Sequence, residues 1–200
     1  MRSGLNKIQW CPGCGNFLIN LALKNALKQL NIPKHKVVII SGIGCASKTS
    51  QYIDGYGAET LHGRGLPFAT GVKLANPDLT VVVYGGDGDG YGIGLGHFLH
   101  SCRRNINLTY IVANNENYGL TTGQASPTTP LHVKTRSTPE GNEILPFDPS
   151  ALAKSAGCGY SVHMIDKDLP LLTQSIVDAI KHEGFSHIDV DQACPSWRKR

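Results

Sequence analysis

The sequence predicts an α/β fold: a doubly wound, mostly parallel sheet with helices on both faces. Three observations predict it. Short β-branched apolar runs alternate with stretches whose apolar residues recur at helical spacing, the pattern of strands joined by crossover helices. A glycine-rich turn, 86–90, stands between one such run and the next helical stretch, where open α/β sheets bind ligands. Two hundred residues, 40% of them hydrophobic, suffice for one domain with a sizeable core, so residues 1–200 are read as a single unit.

Taken in order, Asn16 is placed to cap a helix with Leu18, Ala22, Ala26 and Leu30 on one face, ending before Pro33. The run 37–40 is a buried strand, and 81–84 is a second. A helix over 93–104 follows, although its glycines cost propensity that close packing or ligand approach must offset. Residues 108–112 form the third strand and 161–165 a weaker one. Leu169, Leu172, Ile176 and Ile180 form a helical stripe closed by Gly184, before a last strand over 186–190. Residues 118–149 lack periodicity and are rich in Thr, Pro, Gly and Ser. So long a loop in a compact domain is functional, a lid or a partner-facing segment. No internal repeat is present.

Composition narrows the function. Charged residues are only 17% of the chain while glycines number 23, which suits backbone-lined ligand sites rather than disorder. The net charge of +4 is modest and includes a terminal Arg198-Lys199-Arg200, read as a solvated tail. No basic stripe with interleaved aromatics suggests nucleic acid. Residues 1–9 are polar with no apolar core after them, and no run approaches a membrane span. A cytoplasmic protein is expected, whose six cysteines serve metal or redox chemistry rather than disulfides.

Gly86-Asp87-Gly88-Asp89-Gly90 offers a backbone that phosphates can approach and a helix N-terminus that favours anions. Asp87 supplies the hard oxygen that Mg²⁺ prefers. The next strand leads into Asn114-Asn115-Glu116-Asn117-Tyr118-Gly119, and parallel strands bring their carboxyl ends together. Asn115 can then add a side-chain oxygen and Asn117 a backbone carbonyl; phosphate oxygens and water would complete the octahedron. This GDG turn with NN one strand later resembles the thiamine diphosphate fingerprint. No GxGxxG occurs, which disfavours a dinucleotide. The stretch 42–49 approaches a P-loop, but Ser47 replaces the second glycine and impairs the phosphate-cradling turn.

Cys11-Pro12-Gly13-Cys14 can place two thiolates on one centre, and Cys45 and Cys194 each follow a strand, so all four can gather on one rim. Four thiolates suit a zinc ion or a 4Fe-4S cluster. Two of them are singletons far apart in sequence, a dispersion that suits a cluster held against a cofactor. Cys102 is read as a core residue and Cys158 as part of a turn.

The segments 10–15 (WCPGCG), 42–45 (GIGC), 61–64 (LHGR), 86–89 (GDGD) and 118–124 (YGLTTGQ) together resemble the beta subunit of 2-oxoacid:ferredoxin oxidoreductases of the pyruvate or 2-oxoglutarate type. The resemblance runs in family order from Trp10 to Pro195. It implies a 4Fe-4S cluster on Cys11, Cys14, Cys45 and Cys194, and Mg²⁺ on Asp87, Asn115 and the carbonyl of Asn117. It implies thiamine diphosphate lined by Ile43, Gly44, Cys45, Ala46, Gly88, Asp89, Gly119 and Leu120. His62 would meet that cofactor, and Lys48 would receive the substrate carboxylate. The implied activity is oxidative decarboxylation of a 2-oxoacid with coenzyme A, electrons passing through the cluster to ferredoxin. No domain here supplies the carboxylate that polarises the aminopyrimidine ring, so an alpha (or alpha/gamma) partner is expected. The second Thr of the TTGQ motif stands where some members carry Lys, a difference bearing on which oxoacid is accepted. The sequence stops six residues after Cys194, where many relatives continue, as a truncated or minimal member would. The alternatives are a non-catalytic zinc scaffold and a thiamine-dependent decarboxylase without redox function.

Overall fold

All five expected strands and all three expected helices form. The computed structural model describes residues 8–198. Lys199, Arg200 and most of the polar start lie outside the described residues. The elements in chain order are α1 (Asn16–Gln29), β1 (Val37–Ser41), β2 (Tyr56–Glu59), α2 (Gly65–Ala75), β3 (Thr80–Gly86), α3 (Leu95–Arg104), β4 (Leu108–Asn114), β5 (Asn117–Tyr118), β6 (Gln124–Ala125), α4 (Pro149–Ser155), β7 (Tyr160–Ile165), α5 (Leu169–Lys181) and β8 (Phe185–Asp191). Six strands make one sheet in the order β2-β1-β3-β4-β8-β7, every pairing parallel. The order reverses between β1 and β3, the doubly wound pattern.

Helices cover both faces because the central strands are apolar on both sides. On one face Ile19, Leu23 and Leu27 of α1 pack with Leu172 and Ile176 of α5 over Ile39, Val82 and Ile111. On the other, Leu66 of α2, Phe98 of α3 and Ala153 of α4 cover Val83, Tyr110 and Phe185. Each such fully buried large side chain contributes roughly 1.5–3 kcal/mol. Pairings such as Gly86 with Ala113 and Asn114 with Asp191 align the carboxyl ends of β3, β4 and β8 on one rim.

Several details differ from expectation. Gly15, not Asn16, is the α1 cap. Asn16 is turned inward and buried, and the buried stripe is rotated onto Ile19, Ala22, Leu23, Ala26 and Leu27. The third helix begins at Leu95, because residues 88–93 form a wide π-helical turn broken at Gly92. The sequence reading missed β2, α2 and α4: β2 is a short, half-exposed edge strand, while α2 holds Pro67 in its first turn and Gly71 within it. α4 is short, but its Asp148 cap and Pro149 start are ordinary signals. Arg198 is not a solvated tail residue; its guanidinium lies 2.7 Å from Glu116 and 2.6 Å from Asp191.

Residues 118–149 are better held than a free loop. β5 and β6 pair antiparallel, Thr128, Thr129 and Asn142 are buried, and Asn142 donates to the Thr129 carbonyl at 2.7 Å. Ile144 and Leu145 at its far end are exposed. Among the described residues no helix is long and apolar enough to cross a membrane.

Candidate cofactor and cluster site

Two cavities open on the rim where β1, β3, β4 and β8 end. The first, about 170 Å³, is lined by Ile43, Gly44, Cys45 and Ala46 after β1, His62, Asp87 to Asp89 after β3, and Asn115, Asn117, Gly119 and Leu120 after β4. Every residue expected to hold the diphosphate or Mg²⁺ faces it. The second, about 110 Å³, is lined by Cys11, Cys14, Cys45 and Cys194. Cys45, Asn115, Gly119, Leu120 and Gln192 line both, so the cavities share a wall. Lys48 lines the cysteine cavity only.

In the first cavity three oxygens face one another. Asn115 Oδ1 stands 2.7 Å from the Asn117 carbonyl oxygen and 3.0 Å from Asp87 Oδ1. Such a group is repulsive unless the amide turns over, when both contacts become hydrogen bonds, or a cation sits among them. Octahedral Mg²⁺ places neighbouring ligand oxygens about 2.9 Å apart. The residues therefore fit that ion. Buried Asn117 Oδ1, with no partner among the described residues, leaves one more acceptor for water or ligand.

Asp87 is buried, and that burial pushes its carboxyl up to about 6, against the bonds that Ser126 and Thr128 offer it. Thr128 Oγ1 lies 2.8 Å from Asp87 Oδ2 and 2.9 Å from Asn114 Oδ1. Asn114 Nδ2 donates to Asp189, which also accepts from Tyr91 at 2.8 Å and pairs with His163 at 2.9 Å. His187, held neutral by burial with its pKa lowered to about 4, lies 2.7 Å from the Tyr91 hydroxyl. This polar chain braces the Asp87 carboxylate. Thr128 lies in the aperiodic stretch, and nothing local marks it in the sequence.

His163 gives a pH-dependent handle on that brace. Its hydrogen bond to Asp189 raises its pKa, and a raised folded-state pKa stabilises the fold below the ordinary histidine value. That contribution disappears as pH rises through the folded pKa. His163→Gln is expected to lower the urea midpoint more at pH 6 than at pH 8.5; an equal loss at both would contradict the pairing.

Asp89 works differently from Asp87. Its Oδ1 accepts from the backbone N–H of Ile43 and of Gly63, both at 2.8 Å. It thereby ties the turn after β1 to the His62 loop. Burial raises its carboxyl, and the two backbone bonds oppose that. His62 Nδ1 lies 3.1 Å from it, close enough for an ion pair but not aligned for a hydrogen bond. Gly42 is required here, since a Cβ would stand 2.0 Å from the Asp89 carboxylate.

In the second cavity the thiols act on one another. Burial raises Cys45 to about 11, and the neighbouring Cys14, Cys194 and Cys11 add to it. Burial likewise raises Cys14, with Cys194 and Cys11 adding to it. A cationic centre among them would reverse this. No three His, Cys, Asp or Glu side chains among the described residues converge tightly enough for one ion. A single zinc needs sulfurs about 3.8 Å apart, from its bond length near 2.3 Å. Four thiols lining one cavity are the donor set that a cubane, with each thiolate on its own iron, would use. Cys102 is in the core and Cys158 packs against it, both away from the rim. Sequence reasoning missed Gln192, which bridges the cavities, and Asn16, which faces Cys14.

A doubly wound sheet whose switch-point rim carries an Mg²⁺-suited oxygen set under a glycine turn is the architecture of a thiamine diphosphate-binding domain. Residues 35–190 match the family of the thiamine pyrophosphate enzyme C-terminal TPP binding domain. Within that family, the chain belongs with the beta subunits of 2-oxoacid:ferredoxin oxidoreductases. It is 51% identical to the 2-oxoacid:ferredoxin oxidoreductase subunit beta of Saccharolobus solfataricus, over 94% of this chain and 62% of that protein. It is 44% identical to the 2-oxoglutarate synthase subunit KorB of Archaeoglobus fulgidus, over 95% of this chain and 71% of that one. The 2-oxoglutarate:ferredoxin oxidoreductase from Magnetococcus marinus, solved with 2-oxoglutarate, coenzyme A and succinyl-CoA bound, superposes with a TM-score of 0.96 at 40% identity, covering 97% of this chain and 67% of that one. The chain thus spans about 62% of the length of the Saccharolobus relative.

Proposed function

We propose that this chain is the cofactor- and cluster-carrying part of a 2-oxoacid:ferredoxin oxidoreductase, acting on 2-oxoglutarate or pyruvate with coenzyme A. The observation that carries the proposal is the shared wall: Cys45 and Asn115 each face both the oxygen-lined and the thiol-lined cavity. When bound, thiamine diphosphate supplies the nucleophile and electron sink for loss of carbon dioxide, and a 4Fe-4S cluster a one-electron acceptor.

The chain's own residues bind and orient. Asp87, Asn115 and the Asn117 carbonyl hold Mg²⁺ against the diphosphate. Gly88 and Gly119 let the backbone close on it, with Ile43, Gly44, Ala46, Asp89 and Leu120 as the surrounding wall. His62, beside Asp89, can hold or pass a proton at the cavity mouth. Lys48 offers a cation to a substrate carboxylate from the cysteine side. Cys45 lines both cavities and would stand between the cofactor and the cluster.

The two carboxylates on the first cavity are both committed, Asp87 to the metal and Asp89 to two backbone N–H groups. Neither is free to polarise an aminopyrimidine ring. An alpha or alpha/gamma partner supplies that group, and ferredoxin receives the electrons. The isolated chain is expected to bind Mg²⁺ and thiamine diphosphate without turning over any 2-oxoacid; turnover by the single chain would refute the partner requirement.

Anaerobic purification tests the cluster. The expected product is a brown protein holding iron and sulfide in equal amounts, bleached by Cys11→Ser. A colourless protein with stoichiometric zinc would make it a metal scaffold instead. A cluster whose removal through Cys194→Ser leaves turnover of the reconstituted complex unchanged would make it a decarboxylase without redox function.

A further inference from the structure

We propose that Asn16 and Gln192 are positioning residues that set the reduction potential of the metal centre held at Cys14. The inference rests on the reading of the cysteine cavity as a cluster site. Asn16 Nδ2 donates to Cys14 Sγ at 3.4 Å, and Gln192 Nε2 donates to the same sulfur at 3.4 Å. The two amides come from opposite ends of the chain, one opening α1 and the other following β8. Both are 1% exposed, so neither N–H can turn to water.

Each amide is fixed in orientation. The buried Tyr84 hydroxyl donates to Asn16 Oδ1 at 3.1 Å, which leaves the Asn16 N–H pointing at sulfur. Gln192 Nε2 has two hydrogens, one for Cys14 and one for the Ala193 carbonyl. Its backbone N–H is anchored on the Asn114 carbonyl at 2.9 Å. A neutral thiol is a weak acceptor, and two buried carboxamides aimed at one would be poorly repaid. A metal-bound thiolate is a strong acceptor, and bonds to it strengthen as negative charge builds.

Reduction adds one electron to the cluster, and part of that charge spreads onto the ligating sulfurs. N–H donors to those sulfurs favour the reduced form and raise the potential. Gln192 also lines the cofactor cavity, so the residue that biases the electron acceptor borders the electron source. Asn16 faces the cysteine cavity alone.

The test is a potentiometric titration of the anaerobically reconstituted chain, followed by the EPR signal of the reduced cluster. Asn16→Leu and Gln192→Met each remove one donor with little change in size. Each is expected to shift the reduction equilibrium about tenfold toward the oxidised form, or about 59 mV for a one-electron couple, at unchanged iron and sulfide content. Unchanged potentials in both variants would overturn the inference while leaving the cluster assignment intact. A wild-type chain that assembles no cluster would overturn both. Pulsed EPR of the wild-type reduced cluster with ¹⁵N-labelled Asn and Gln amides needs no variant. Nitrogen coupling at the cluster is expected, and its absence overturns the proposal even if a variant fails to load.

Discussion

Asp87→Asn is expected to make the apo chain more stable and abolish its Mg²⁺-dependent binding of thiamine diphosphate. Asp87 is buried, and its carboxyl is pushed up to about 6. A carboxyl whose folded pKa exceeds its unfolded value, ordinarily near 3.9, favours folding when protonated. The contribution of this group is therefore fully present below its unfolded value and is lost as pH rises through about 6. At pH 7 the ionised group costs about 3 kcal/mol, at roughly 1.4 kcal/mol per pKa unit. Asparagine removes that charge. Its Oδ1 can still accept from Thr128, and its Nδ2 can donate to Asn115 Oδ1 about 3 Å away, so that a hydrogen bond joins the two side chains without the Asn115 amide turning over. The same bond occupies the space in which the proposed Mg²⁺ would sit. Urea denaturation at pH 7 should show a higher midpoint for the variant without metal. Adding Mg²⁺ and thiamine diphosphate should raise the wild-type midpoint and not the variant's. A variant less stable than wild type in the absence of metal would mean that Asp87 is not strained by its burial.

The same residues show why the site was legible and the supporting structure less so. Asp87, Asn115 and Asn117 fall at the ends of apolar strands, so strand periodicity and parallel pairing place them on one rim. Cys45 and Cys194 are located by the same logic. Thr128 and Gln192 carry no comparable signal. Thr128 reaches Asp87 because residues 118–149 fold back under the rim, and that path depends on long-range bonds such as Asn142 to Thr129. Asn16 has the local chemistry of a cap, but a buried partner, Tyr84, outweighs capping and turns it inward. Edge strand β2 and helix α2 escaped because half-exposed strands and helices containing Pro and Gly depart from the patterns that burial imposes. Long-range contacts decide the elements that periodicity does not mark.

Gly88→Ala is expected to lower affinity for Mg²⁺-thiamine diphosphate at least tenfold. The backbone itself would accept alanine, since Gly88 lies in the helical turn after β3 and alanine there gains roughly 0.5–1 kcal/mol of helix propensity. The obstacle is Tyr118. A Cβ on Gly88 would stand 2.1 Å from Tyr118 Cε1 and 2.6 Å from Cδ1, deep inside contact distance. The Tyr118 hydroxyl also donates to the Gly88 carbonyl at 3.3 Å, so ring and turn are held together. Overpacking of this kind costs roughly 1–3 kcal/mol, more than the propensity gain. Relief requires moving Tyr118, which stands between Asn117 and Gly119. The Asn117 carbonyl then leaves its place beside Asn115 Oδ1, and the oxygen set loses the spacing that suits Mg²⁺. Calorimetric titration of Mg²⁺ and thiamine diphosphate would measure the loss. The double variant Gly88→Ala/Tyr118→Leu opens the space again and should recover part of the affinity. If Tyr118→Leu restores nothing, the clash is not the cause and the requirement for glycine lies in direct approach of the phosphates.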